Sequence, residues 1–459
     1  MDIQGIFEEI SSISSTNQKI EVLNKYKDFP LLKEVIYLAL SRRVKFYIRQ
    51  IPEVSEHSGK YSLRESLGAL QALSSRTLTG NQAKDFLKET LEKSSSQNAD
   101  ILCRIIDKDL KIGIATTNTN KVFPKLIEKT PYMGAIPFSK EAVESLLEEG
   151  EIYSQVKMDG RYVNAMIRHG EVDLESRDGE ITELPGNCFL VRELKAFPID
   201  CVLNGELTIP GLPRYVSNGI IASIISISKK QKQGIDTTIE LAKFECKYGY
   251  FKAAANSISL TTWDLITVPQ YFEMKADVHY STRFQYLKDF LRKENFTRIR
   301  IVRSKKVTSY EEVMDHFYRN LKSGEEGTIV KSLKGFWKNG KPKYQVKIKI
   351  ELSVEMEIID FNYGTGKNSE VISSIITQSS CGKVITTPAG MNEETMEYVT
   401  DNQTKLKNTI IEVMCAGLST DREGNYSLLH PRFIKFRDDK IKANSLKEIQ
   451  QIENSIKGL

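Results

Sequence analysis

The chain has 459 residues, 40% of them hydrophobic and 27% charged; this excludes global disorder and leaves room for roughly three domains. Its longest apolar stretch, Ile220–Ile227, is broken by serines and ends at Lys229-Lys230, far short of the roughly 20 residues of a membrane span. Met1-Asp2-Ile3-Gln4 shows no basic segment leading into an apolar one, so neither a secretory signal nor a membrane partner is expected. The net charge of +5 is unevenly placed. Residues 1–140 hold 21 Lys and Arg against 16 Asp and Glu. Lys331–Ile350 carries seven lysines and no acid, and residues 351–400 carry two basic against eight acidic side chains. Two basic zones and one acidic zone fit a polyanionic partner. The six cysteines at 103, 188, 201, 246, 381 and 415 have no metal-type C-x-x-C spacing, so zinc is not expected and the thiols read as reduced.

In chain order, residues 1–129 read as helical. Apolar residues recur at helical spacing in Leu32, Val35, Ile36 and Ala39, and again in Val44, Tyr47 and Ile48. Thr79-Gly80-Asn81 predicts a break, and Ala99-Asp100 a cap before Ile101-Leu102-Ile105-Ile106. Arg42, Arg43, Lys45, Arg49, Lys111, Lys121 and Lys125 accompany these helices. From Ile152 onward β-type runs dominate: Tyr153–Lys157, Tyr162–Ile167, Cys201–Leu207, Leu260–Ile266 and Gly327–Lys331. Helical stretches such as Glu141–Leu147 and Thr282–Arg292 lie between them. After Ile350 a small β-rich module follows: Val354, Met356 and Ile358 alternate with Glu355 and Glu357, Asn362-Tyr363-Gly364 predicts a turn, and short runs recur at Val371–Ile376, Val384–Thr387 and Thr409–Met414. This pattern predicts a small barrel.

The segment that carries chemistry is Gln155-Val156-Lys157-Met158-Asp159-Gly160-Arg161. Lysine ends one strand, Asp-Gly turns tightly, and a second strand begins; a plain hairpin has the same look. A lysine attacks phosphorus only when neutral, and its free pKa is about 10.4, so nearby cations or desolvation must lower it. Arg161, Arg177, Lys331, Lys347 and Lys349 are candidate cations. Glu206 in Asn204-Gly205-Glu206-Leu207 and Glu326 in Glu325-Glu326-Gly327 are candidate metal-binding carboxylates.

The pieces also come in a telling order. Lys157-x-Asp-Gly, Ser176-Arg177-Asp178-Gly179, Asn204-Gly205-Glu206-Leu207, Trp263-Asp264, Glu326-Gly327-x-x-x-Lys331, Lys347-Ile348-Lys349 and Arg437-Asp438-Asp439-Lys440 follow one another. This series resembles that of the covalent nucleotidyltransferases, and within them the ATP-dependent DNA ligases, those of T-even bacteriophages above all. Ile10-x-x-Ile13-x-Ser15-Thr16-x-Gln18-Lys19, Leu78-Thr79-Gly80-Asn81 and Lys442-Ala443-Asn444 extend the resemblance over almost the whole chain.

The resemblance implies a multidomain α+β fold. An all-α DNA-binding domain would span 1–129, a mixed α/β nucleotidyltransferase domain with antiparallel sheets 130–350, and an OB-fold β-barrel 351–459. It implies an enzyme that seals nicks and breaks between 3′-hydroxyl and 5′-phosphate DNA ends through a lysyl-AMP intermediate, in replication, repair and recombination. ATP and Mg2+ or another divalent ion would be its cofactors. Lys157 would be the nucleophile. Gln155 would sit at the adenine edge, Trp263 would stack on the base, and Arg177 would face a phosphate. Lys347 and Lys349 would hold the α-phosphate, and Arg437 and Lys440 the leaving pyrophosphate. Glu206 would contact ribose or metal, and Glu326 the metal. The family usually places an arginine two residues after the glycine of its first motif; here Tyr162 stands there, and Arg161 is expected to supply that contact through a rotated turn. Arg42, Arg43, Lys45, Lys111 and Lys121 would bind DNA. The expected partner is nicked double-stranded DNA, handled by a monomer in the cytoplasm (the host's, for a viral protein), with replication or repair proteins as further possible partners. An RNA ligase, a capping-type nucleotidyltransferase, or a non-catalytic nucleic-acid-binding protein on the same fold are the alternatives.

Overall fold

The computed structural model describes residues 2–48, 50–364, 369–421 and 424–457. The chain divides into two compact units, Met1–Thr130 and Pro131–Leu459. The elements of the first unit are helices, seven among its described residues, from Ile3–Ser11 to Thr116–Val122. Their apolar stripes close one core: Leu32, Val35, Ile36 and Ala39 of Pro30–Leu40 pack with Ile101, Leu102 and Ile105 of Ser96–Ile106. Ser62 and Glu65 form a reciprocal capping box at the start of Leu63–Ser74, which satisfies two otherwise unpaired backbone donors.

Two local expectations fail here. Val44, Tyr47 and Ile48 lie outside any helix: Ser41 takes extended backbone at the end of Pro30–Leu40, and Tyr47 has φ +57°, a left-handed conformation no helix continues through. The cap expected at Ala99-Asp100 stands at Ser95, whose hydroxyl accepts from the Asn98 N–H at 3.2 Å. Thr79-Gly80 does mark a break, Thr79 standing in extended backbone just before Gly80–Lys93. Arg49 lies outside the described residues.

The second unit is built on three five-stranded sheets. The first runs Ile136–Pro137, Gln345–Lys349, Gly327–Ser332, Ile152–Val156, Ser304–Val307. The second runs Glu171–Glu175, Arg161–Arg168, Cys201–Thr208, Ser259–Thr267, Ile299–Ile301. Pairing is antiparallel except between Ile136–Pro137 and Gln345–Lys349 and between Ser259–Thr267 and Ile299–Ile301. Helices Phe189–Lys195, Arg214–Lys232 and Tyr280–Glu294 cover the second sheet with a core of Ile, Leu and Val. The apolar stretch Ile220–Ile227 belongs to this packing: Ile221 and Ile224 are fully buried. Among the described residues, no helix is long and apolar enough to cross a membrane.

The third sheet runs Ile385–Thr386, Ile372–Gln378, Leu352–Tyr363, Ile410–Cys415, Arg432–Phe436. Along Leu352–Tyr363 the alternation read from sequence holds, with Val354, Met356 and Ile358 buried. These side chains share a core with Val330, Val346 and Ile348 of the first sheet. Among the described residues the ladder does not close into the expected barrel. Its edge strand Ile385–Thr386 is two residues long and is followed by Pro388, which has no N–H to donate; among the described residues a single bridge, Ala389 to Arg432, links the two edges.

Candidate active site

Between the first two sheets lies a cavity of about 370 Å³. Lys157 follows directly on Ile152–Val156, its backbone N–H donating to the Gly327 carbonyl at 3.0 Å. Its Nζ donates to the carboxylate of Glu326. That residue immediately precedes the neighbouring strand Gly327–Ser332, so strand pairing delivers nucleophile and carboxylate to one place. The Asp-Gly turn then passes so close to Cys201–Thr208 that a Cβ on Gly160 would stand 2.4 Å from the Leu207 carbonyl oxygen; no other residue fits without displacing backbone. The Gly160 N–H donates to Glu206 Oε2 at 2.6 Å.

The carboxylates of this site are perturbed by their surroundings. Burial pushes the Glu206 carboxyl up to about 7, against the pull of the Gly160 N–H and of Lys157. Burial, and then Glu326, push Asp159 up to about 6, although Arg214 pairs with it at 2.8 Å. Taking a carboxylate out of water penalises its charged form, and this cluster awaits a cation or a proton.

The opposite wall carries aromatic rings. Trp263 borders the cavity, and its carbonyl accepts from the Tyr280 hydroxyl at 2.8 Å. Gln155 is 1% exposed, and its amide nitrogen donates to Tyr280 at 2.8 Å and Ser304 at 3.0 Å. Lys331, 5% exposed, lies 4.7 Å from the Tyr280 ring centre and 5.7 Å from that of Trp263. Burial pushes its amine down to about 7. Lys341, Lys347 and Arg177 also border the cavity. Burial, then Lys349, Lys341, Lys157 and Arg177, depress the Lys347 amine.

Lys157, Gln155, Arg177, Glu206, Trp263, Glu326 and Lys347 therefore meet in one cavity. Four expected nucleotide contacts do not. Arg161 is absent from the lining and Tyr162 is present; residue 162 pairs with Glu206 across the sheet and 161 with Leu207, and successive strand residues face opposite sides. The turn does not rotate to bring Arg161 round. Lys349 shares a strand face with Lys347 but turns its amine to Glu351 at 3.4 Å. Arg437 is held on the third sheet by Glu355 at 3.0 Å, Glu412 at 3.4 Å and both oxygens of Asp439 at 2.8 Å. Lys440 stands 3.9 Å from Glu355.

Tyr132, Tyr162, Arg214, Tyr280 and Lys341 line the cavity or its wall without having been read as site residues. For Lys331 the signal was in hand, since it closes the Glu326-Gly327-x-x-x-Lys motif. The fit to a divalent ion is partial: among the described residues no group of three or more His, Cys, Asp or Glu is disposed to hold one, while the charge of Glu326 contributes to raising the Glu206 carboxyl. In the first unit, Arg43 pairs with Glu128 at 3.0 Å and Lys45 lies 5.7 Å from the Tyr47 ring centre. Arg42 is half-buried, and Lys111 and Lys121 are exposed.

Residues 133–349, which hold all but one of the cavity's lining residues, match the family model described as ATP dependent DNA ligase domain. Along its full length the chain is 26% identical to the DNA ligases of Enterobacteria phage T4 and Enterobacteria phage T6, with 100% of this chain and of each relative covered. The solved structure Pmar-Lig_PreS3, 20% identical, covers 95% of this chain with 99% of its own at a TM-score of 0.55, a likeness of fold. A lysine just past a strand end, set among carboxylates and cations, thus lies inside a segment similar to the ATP-dependent DNA ligase domain, and the likeness to phage DNA ligases continues through both flanking regions.

Proposed function

We propose that this chain seals nicks and breaks in duplex DNA, with ATP as the source of activation and Lys157 as the carrier of AMP. The observation that carries the reading is the cavity's charge: Lys157, Lys331, Lys341, Lys347 and Arg177 converge there, and the Lys347 amine is depressed in part by its cationic neighbours. A polyanion such as a nucleoside triphosphate relieves that repulsion. The buried amide of Gln155 and the ring of Trp263 suit the edge and face of a purine.

In this scheme Lys157 Nζ attacks the α-phosphorus; the N–P bond forms as the bond to pyrophosphate breaks. Glu326, already accepting a hydrogen bond from Nζ, is placed to take its proton. Lys347 and Arg177 neutralise charge that grows on phosphate oxygens. AMP then passes to a 5′-phosphate at a nick. Attack by the adjacent 3′-hydroxyl closes the backbone and frees AMP. Glu206 and Glu326 would hold a divalent ion, which supplies further charge neutralisation; phosphate and water oxygens would complete its ligands. Residues 1–129 act as the DNA-binding domain through Arg42, Arg43, Lys45, Lys111 and Lys121, 130–350 as the nucleotidyltransferase domain, and 351–459 as an OB-fold module. Lys349, Arg437 and Lys440 serve once that last module turns toward the nucleotide and their present carboxylate partners let go.

Incubation with ATP labelled at the α-phosphate and Mg2+, followed by denaturing electrophoresis, tests the proposal. The full chain should retain label and release it on addition of nicked DNA with sealing. Lys157→Ala should retain none; label on that variant overturns the assignment.

A further inference from the structure

Position 162 faces the cavity with a tyrosine and brings no charge there. Its hydroxyl is committed to Asn164 Oδ1 at 2.6 Å, within a buried network in which Asn204 also donates to Asn164 at 2.8 Å and Trp337 donates to Asn204 at 2.9 Å. The Tyr162 ring therefore has one orientation. Tyr132 meets it edge to face, with ring centres 5.0 Å apart. The guanidinium of Arg177 lies over the other ring of the pair, 4.2 Å from the centre of Tyr132. Arg177 comes from the exposed turn Ser176–Gly179, closed by the Gly179 N–H to the Ser176 carbonyl at 3.0 Å. A long side chain on such a turn would otherwise sample many rotamers.

The seat of Tyr132 is built with unusual care for a short connecting segment. Its N–H donates to Asn339 Oδ1 at 2.9 Å. Its carbonyl accepts from the Gly340 N–H, and the Gly134 N–H donates to the Gly340 carbonyl, both at 2.8 Å. Gly134 leaves room for the ring: a Cβ there would stand 2.7 Å from Tyr132 Cε1. Backbone, ring edge and ring face are thus each held by a separate contact, and the long side chain of Arg177 rests on the ring so held.

We propose that Tyr132 is a positioning residue: buttressed by Tyr162, it holds the Arg177 guanidinium at the cavity so that Arg177 supplies the phosphate contact for which Arg161 is turned the wrong way. The inference rests on the ligase reading above. The phosphate belongs either to the nucleotide or to the 5′ end at the nick, and two reactions separate them: self-adenylation across ATP concentrations, and sealing of a pre-adenylated nick without ATP. In at least one of these, Arg177→Ala and Tyr132→Leu should each slow the full chain by about tenfold, between the values for an exposed and a desolvated cation–π contact. Tyr132→Phe keeps the ring and should retain most of the rate. The double variant Tyr132→Leu/Arg177→Ala should be no slower than Arg177→Ala alone. If Tyr132→Leu costs the same factor with and without Arg177, or if Arg177→Ala leaves both reactions unchanged, the proposal is overturned. Label on Lys157→Ala would instead sink the ligase reading itself, so the two failures are distinct.

Discussion

Two groups of cations in the second unit are built on opposite terms. At the cavity, Lys331, Lys341, Lys347 and Arg177 stand without a carboxylate within ion-pair distance among the described residues. On the third sheet, Arg437 is surrounded by Glu355, Glu412 and Asp439. Its guanidinium is stabilised further in its charged form, chiefly by its hydrogen bonds to Asp439, and Asp439 in turn is held down to about 2 by Arg437. The first group is left uncompensated and is unfavourable until a polyanion enters. The second is satisfied as it stands and must be unpaired before it can touch a phosphate. Stability and function therefore pull apart at the first group and coincide at the second.

The contrast can be broken most directly at the paired lysines of Gln345–Lys349. Lys347→Ala should slow self-adenylation by about 10²–10³-fold, the range for removing one donor from a developing charge. Lys349→Ala, whose amine already faces Glu351, should cost about tenfold or less, within a single cavity-remote contact. Single-turnover labelling of the two variants checks this; equal losses would show that the pairing with Glu351 does not hold Lys349 back from the nucleotide.

Stability measurements sharpen the same point. Removing a cavity cation with Lys347→Met should raise the melting temperature of the free protein at low salt while activity falls. Arg437→Met should lower it, because Glu355, Glu412 and Asp439 are left facing one another. Both shifts should shrink as salt rises. Thermal scans at two ionic strengths decide; shifts of the same sign for the two variants would erase the distinction.

A further effect is one of pH. Burial holds the Lys331 amine near 7 in the folded chain, whereas in the unfolded chain it titrates at about 10.4. Between those values the unfolded state binds the extra proton, so this group makes stability rise with pH from about 7 upward. Denaturant unfolding of the wild type and of Lys331→Met across about pH 7–10, a range inside that window, should give a steeper rise for the wild type. Parallel curves would show that the Lys331 amine is not desolvated.

The sequence by itself determined the local elements and the chemistry they carry. Period-two alternation in Val354, Met356 and Ile358 became a half-buried strand, and a lysine before Asp-Gly came to stand in the connection between two strands, just past the end of the first. These outcomes depend on neighbours along the chain, where sterics and apolar periodicity act directly. Tertiary structure alone decided the rest. Alternation says that Arg161 and Tyr162 face opposite ways; only the register against Cys201–Thr208, with Tyr162 opposite Glu206, says which of them meets the cavity. Spacing puts Lys347 and Lys349 on one face; the position of Glu351 decides that only one stays free. Val44, Tyr47 and Ile48 have helical spacing and no helix, because a left-handed residue costs more than their periodicity returns. The barrel stayed open at a two-residue strand that Pro388 follows. Lys157 and Glu326 lie 169 positions apart, and no local rule reaches that far: ion pairs and ring contacts act through space, and the fold must exist before the distance does.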